Sequence, residues 1–82
     1  MNETVEQAYE IQEEFYERYL PDLEIGEICE INDLWDGNGE IPEDSYSIQV
    51  TNQDWINYSF DLLEEKENPL DSLIKITKIE LI

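Results

Sequence analysis

Eighty-two residues give room for a single domain, 1–82, and for no second core. Twenty-two acidic residues against four basic ones leave a formal charge of −18. Anionic lipid and nucleic acid repel such a chain, so direct nucleic-acid binding and membrane association are excluded and a basic protein partner is expected. The 40% hydrophobic and 11% aromatic content still supplies material for a core.

The first predicted element is an amphipathic helix from Glu3 to Leu20. At 100° per residue, Ala8, Ile11, Phe15 and Tyr19 share one arc, flanked by Val5, Tyr9, Gln12 and Tyr16. The opposite arc carries Glu3, Glu6, Glu10, Glu13, Glu14 and Glu17. Thr4 followed by Gln7 reads as a capping box, and Pro21 as the stop. The ridge of Glu is a poor device for stability. Like charges such as Glu6/Glu10, Glu10/Glu14 and Glu13/Glu17 each cost roughly 0.2–0.5 kcal/mol in a helix. Those near the helix C-terminus also oppose its dipole, with Arg18 alone offering relief. This pattern points to selection for a partner.

After Pro21 a strand is expected over about Glu24–Ile31, with an irregularity near Gly26 where the alternation of apolar residues breaks. Asn32 to Ser45 reads as a loop, turning at Asp36-Gly37 and Asn38-Gly39. It holds Asp33, Asp36, Glu40, Glu43 and Asp44 and no base. Tyr46–Thr51 alternates cleanly as a strand, Asn52-Gln53-Asp54 turns the chain, and Ile56–Leu62 alternates again. That hairpin, poor in charge, is expected at the centre of the sheet. Glu64–Pro69 is a solvated turn, and Leu73–Ile82 the last strand. Ile74 and Ile76 share a parity that Ile79 and Leu81 do not, so either a bulge intervenes or both faces are covered. The fold class is therefore α+β: one N-terminal amphipathic helix packed on an antiparallel sheet of about four strands.

The charge is uneven. Residues 1–45 carry 15 of the 22 acids and one base, whereas residues 46–82 carry 7 acids and three lysines. Six Glu across Glu3–Glu17, at about 1.5 Å rise per residue, place a charge every ~4 Å, close to the roughly 3.4 Å spacing along one DNA strand. The helix then matches one strand of a duplex, and the Asp33–Asp44 loop supplies the other. Against this stands the plainer reading of a solvated acidic surface. Trp35, inside the acidic loop, is either folded over a sheet edge or an anchor for a partner, and Trp55 is expected to pack.

Other chemistry is poorly supported. Asp36-Gly37-Asn38-Gly39 resembles the middle of an EF-hand loop, but that alignment puts Leu34 and Ser45 at the first and twelfth ligand positions, so no metal is expected there. Cys29 is alone, which rules out an internal disulfide, fits a reducing cytoplasm, and suggests a small packed side chain. Histidine is absent, removing the commonest general base. Gly26, Gly37 and Gly39 form no phosphate-cradling loop and there is no nucleophile elbow, so neither an enzyme nor a cofactor site is expected.

The size, composition and Glu3–Glu17 ridge resemble those of small acidic inhibitors from phages and mobile elements: anti-restriction DNA mimics, uracil-DNA glycosylase inhibitors and anti-CRISPR proteins. No alignable motif carries the likeness. It implies stoichiometric occlusion of a basic DNA-binding groove, of a nuclease, Cas effector, restriction enzyme or glycosylase, in the cytoplasm of a bacterial host cell. The site residues are then Glu6, Glu10, Glu13, Glu14, Glu17, Asp33, Asp36, Glu40, Glu43 and Asp44, with Trp35 as the candidate anchor. The three late lysines confine the mimicry to one side. An immunity or antitoxin protein neutralising a basic nuclease is the alternative, in which Trp35 outweighs the ridge; an acidic accessory subunit is a third.

Self-repulsion at −18 works against the compact state, so screening should favour it. The thermal midpoint followed by circular dichroism is expected to rise from low to moderate salt, and a fall would contradict this account.

Overall fold

The structure, a computed structural model, describes residues 3–12, 20–37 and 39–82. The chain forms α1 (Glu3–Gln12), β1 (Ile28–Glu30), α2 (Ile31–Leu34), β2 (Ser45–Gln49), β3 (Trp55–Glu64), a 3-10 turn over Pro69–Asp71, and β4 (Leu73–Leu81). All strand pairs are antiparallel, and the sheet runs β1-β4-β3-β2. This is the expected α+β arrangement of an N-terminal helix and a four-stranded antiparallel sheet. Among the described residues no helix is long and apolar enough to cross a membrane.

The long strands follow from their sequence. Ile56, Tyr58 and Phe60 alternate inward along β3 and are buried, while Asn57, Ser59 and Asp61 face the other way. On β4, Ile74, Ile76 and Ile79 are all buried despite their change of parity. The register explains how: Ser59 pairs with Lys78 but Phe60 pairs with Ile76, so Thr77 is the extra residue of a bulge. Of the two solutions the sequence leaves open, the bulge is the one used.

The helix and sheet meet over one core. Val5 and Ala8 of α1, Ile31 and Leu34 of α2, and Leu20 and Leu23 between the helices join Ile48, Ile56, Tyr58, Phe60, Ile74, Ile76 and Ile79 in a single buried cluster. Two tyrosines hold the intervening strap. Tyr9 donates its hydroxyl hydrogen to the Leu20 carbonyl at 2.6 Å and accepts from the Leu20 N–H at 3.1 Å. Tyr58, fully buried, donates to the Pro21 carbonyl at 2.9 Å. Together these bonds satisfy the Leu20 N–H and the Leu20 and Pro21 carbonyls in a stretch without secondary structure.

Several expectations need correction. Glu3 is already helical, so Thr4 lies in the first turn and does not cap it. Helix is described to Gln12; Glu13–Tyr19 lie outside the described residues, and Leu20 is buried without being helical. The inward line of α1 is Val5, Ala8 and Gln12, leaving Ile11 exposed. The hydroxyl bonds of Tyr9 to Leu20 turn the helix toward that side. The strand expected from Glu24 is only Ile28–Glu30. Before it, the Glu27 N–H donates to the Glu24 carbonyl at 3.1 Å, closing a turn with Gly26 at φ 91°. Gly26 donates to Ile76 and Ile76 donates to Glu27, so two residues face one in a glycine bulge at the expected place.

The expected Asn32–Ser45 loop begins instead with the end of a helical turn. Ile31–Leu34 is helical, and the Asp33 carboxylate accepts from the Glu30 N–H at 3.0 Å. The β2–β3 hairpin is present in the expected register family, Ile48 opposite Ile56 and Tyr46 opposite Tyr58. It is not the centre of the sheet, however: β3 and β4 are, and β2 forms an edge. At the hairpin turn the Thr51 hydroxyl donates to Asp54 at 2.7 Å and accepts from the Gln53 and Asp54 N–H groups.

Central-strand burial should dominate stability. Ile76→Ala is expected to cost about 2–5 kcal/mol, whereas Ile25→Ala, at a residue 58% exposed, should stay within about 0.5 kcal/mol. Urea titration of both variants checks the contrast.

Candidate protein-binding face

The solvent side of α1 is made of Glu3, Glu6, Gln7, Glu10 and Ile11. At about 1.5 Å rise per residue, Glu3 to Glu10 covers about 10 Å of helix. Glu13, Glu14 and Glu17, expected to continue this ridge, lie outside the described residues. In the loop, Asp33, Asp36, Glu40, Glu43 and Asp44 are all exposed. Two of these acids also serve local structure. Asp33 holds the start of α2, and Asp36 accepts a hydrogen bond from the Tyr46 hydroxyl. That bond draws the loop against β2.

Trp35 is half-buried and packs against the core, with its backbone N–H closing α2 onto the Ile31 carbonyl at 2.9 Å. Trp55 behaves contrary to expectation. It is 41% exposed, on the sheet face away from the core and at the strand end, where its backbone pairs with Ile82. Strand alternation accounts for this, because Ile56 takes the inward place.

The sheet sorts the charges. Lys75 and Lys78 lie opposite Asp61 and Ser59, on the face of β4 turned away from the core. Lys78 pairs with Glu80 at 3.4 Å, and Lys66 with Glu64 at 2.9 Å. The acids of α1 and of the Asp33–Asp44 segment belong instead to the layer whose apolar residues cover the core face. Among the described residues, none of Glu6, Glu10, Asp33, Glu40, Glu43 and Asp44 has a cation within ion-pair distance. Lys66 and Lys78 thus each pair with an acid of the sheet, while among the described residues these six carboxylates, like Asp61, Glu65, Glu67 and Asp71, have no ion-pair partner.

Two clefts adjoin the acidic segment. One, of about 360 Å³, lies between Asp36 and Gly39 on one side and Tyr46, Ser47, Ile48, Gln49 and Trp55 on the other. A second, of about 470 Å³, includes Ile41, Pro42, Glu43, Leu62 and Glu65. In the EF-hand-like stretch Gly37 and Gly39 have φ 92° and 73°, a region that favours glycine. Among the described residues no three His, Cys, Asp or Glu side chains gather closely enough to hold a metal ion.

Comparison with protein-family models, curated proteins and solved structures finds no match to this chain. The site is therefore read from its own chemistry. What sequence reasoning missed is the edge position of β2. No local signal marks it, since Ser45–Gln49 carries no charged residue and so reads as a central strand.

Cys29 stands beside this face, half-buried against the core. Burial, and then the carboxylates of Asp33, Glu27 and Glu30, push its thiol up from 9.0 to about 11. The folded chain thus holds the proton that the unfolded chain releases near pH 9, so this group's contribution to stability is present below that pH and is lost as pH rises toward 11. Alkylation by iodoacetamide is expected to follow a midpoint near pH 11 in the folded protein and near 9 in urea. Coincident midpoints would show that burial and the neighbouring acids have no such effect.

Proposed function

We propose that this chain is a DNA-mimicking inhibitor that occupies the basic nucleic-acid-binding groove of a bacterial DNA-binding enzyme and carries out no catalysis itself. The observation that carries the reading is the segregation of charge. Among the described residues Glu6, Glu10, Asp33, Glu40, Glu43 and Asp44 have no cation within ion-pair distance, whereas Lys66 and Lys78 pair with acids of the sheet. A groove that binds DNA through Lys and Arg gains from these carboxylates much as it gains from phosphates. Glu6 and Glu10 contribute along the helix, and Asp36, Glu40, Glu43 and Asp44 along the loop. Asp33 adds its charge while capping α2. Glu13, Glu14 and Glu17 extend the same ridge in sequence.

The packing of Trp35 against the core supports this reading over the immunity-protein alternative, which needs that ring as a protruding anchor. The target is then a cytoplasmic protein of the bacterial host. Inhibition is stoichiometric and reversible by salt, since exposed charge pairs are screened over about 10 Å at 0.1 M.

The test uses the tagged chain to retain a DNA-binding protein from bacterial lysate at low salt, followed by a DNA competition assay on the purified pair. The partner is expected to lose DNA as the chain is titrated to equimolar. The double variant Glu6→Lys, Glu10→Lys should weaken the complex on the order of tenfold for each reversal, given about 1 kcal/mol per surface charge pair and more for its reversal. Its melting midpoint should remain near that of the parent. A ternary complex in which the partner keeps its DNA would overturn the reading.

A further inference from the structure

The free edge of β2 is the feature left unexplained by charge alone. The Phe60 N–H donates to the Asp44 carbonyl and the Val50 N–H to the Asp54 carbonyl, each consistent with the β2–β3 register. An antiparallel ladder alternates, so Tyr46 and Ile48 spend their main-chain groups on β3, and Ser45, Ser47 and Gln49 turn theirs outward. Among the described residues nothing bonds to that outward row.

Sheet edges usually carry a guard: a charge, a proline, a bulge or extreme shortness. The other edge, β1, has two of these, being three residues long and carrying Glu30 beside Glu27. Ser45–Gln49 has none of these within the strand itself, in a chain of which 32% is charged, and Asp36 and Gly39 stand across a cleft from it without bonding to its outward main chain. It runs five residues without a register shift against β3, and the roughly 360 Å³ cleft opens beside it. An unguarded edge is a template for another strand.

We propose that β2 receives an extended segment of a basic partner as a fifth, antiparallel strand. Charge selects the occupant. The segment leading into β2 carries Asp36, Glu40, Glu43 and Asp44, all exposed, which attract Lys and Arg on an incoming strand. A second copy of this chain would bring another −18 to the same edge and set these acids against one another. Main-chain bonds to Ser45, Ser47 and Gln49 supply the docking, and the flanking acids supply the preference for a basic sequence. This deepens the inhibitor reading by giving the partner a strand to contribute, and its site is separate from α1.

The test is amide hydrogen exchange followed by NMR at low salt, with a synthetic peptide of alternating Lys with Val or Thr as the probe. The amides of Ser45, Ser47 and Gln49 are expected to slow by about tenfold or more on addition of the peptide, as they enter hydrogen bonds, and to be unchanged by the same peptide with Glu in place of Lys. Ser47→Pro removes one outward N–H and no ladder bond, a position where an edge strand accepts proline. It should abolish the protection while β3 and β4 amides keep theirs. Should that variant fail to fold, Glu40→Lys with Asp44→Lys provides the second arm and is expected to lose the response to the basic peptide. Glu6→Lys with Glu10→Lys should leave the response of β2 intact, which separates this edge from the helix ridge. No slowing at β2, equal slowing in Ser47→Pro, or slowing in the free protein that grows with its concentration, the mark of a second copy, would each overturn the proposal.

Discussion

Everything in this molecule rests on keeping one apolar sheet face dry while the chain carries −18. Ile56, Tyr58 and Phe60 of β3 with Ile74, Ile76 and Ile79 of β4 form the centre of that face. Fully burying one such side chain stabilises by roughly 1.5–3 kcal/mol, whereas each exposed like-charge pair on a helix costs only tenths. The core therefore wins as long as the acids stay in water, where the dielectric is high. The structure obeys that condition: among the described residues, no Asp or Glu is buried.

The cover over the face is thin. Ten described residues of α1, one turn of α2 and the strap at Leu20–Leu23 enclose it. Short elements of this kind gain little from helix propensity alone, so hydrogen bonds from the core outward take on the positioning. Tyr58 reaches up to Pro21 and Tyr9 reaches down to Leu20, fixing the strap between helix and sheet. With the strap fixed, Leu20 and Leu23 fill the space under α1, and α1 can turn its Glu residues outward.

Much of this was legible in the residues themselves. Alternation alone locates the cores of β2 and β3, and the parity change between Ile76 and Ile79 signals the bulge that the register places at Thr77. The glycine bulge at Gly26 was legible for a similar reason, since glycine is the residue that tolerates its positive φ. What could not be read was decided by long-range contacts. Ile11 belongs to the apolar arc of an isolated helix, yet Val5, Ala8 and Gln12 are the residues turned inward. Ile31 looks like the end of a strand, but the Ser72 carbonyl accepts its N–H at 3.1 Å just where the Asp33 cap starts a helical turn. Strand order carries no local signal at all, so a hairpin poor in charge looks central when one of its strands is an edge. For the site, the acidity of α1 and of Asp33–Asp44 was evident from composition; the lysine partners are acids two residues away in the chain, Glu64 for Lys66 and Glu80 for Lys78.

The distribution of lysines bears on the acidic layer. A uniform shell of carboxylate would be enough for solubility, and lysines spread evenly through it would be better for stability. Here Lys75 and Lys78 occupy the sheet face turned from the core, next to Asp61 and Glu80. Glu6 and Glu10 of the helix and Asp33, Glu40, Glu43 and Asp44 before β2 have no ion-pair partner among the described residues. Uncompensated charge on one side of a small body costs folding energy and gains nothing for the free protein. On the inhibitor reading we propose, an outside cation neutralises it, and the edge of β2, itself without charge, lies beside the acids of the loop. The acids would then supply long-range attraction and the strand short-range direction.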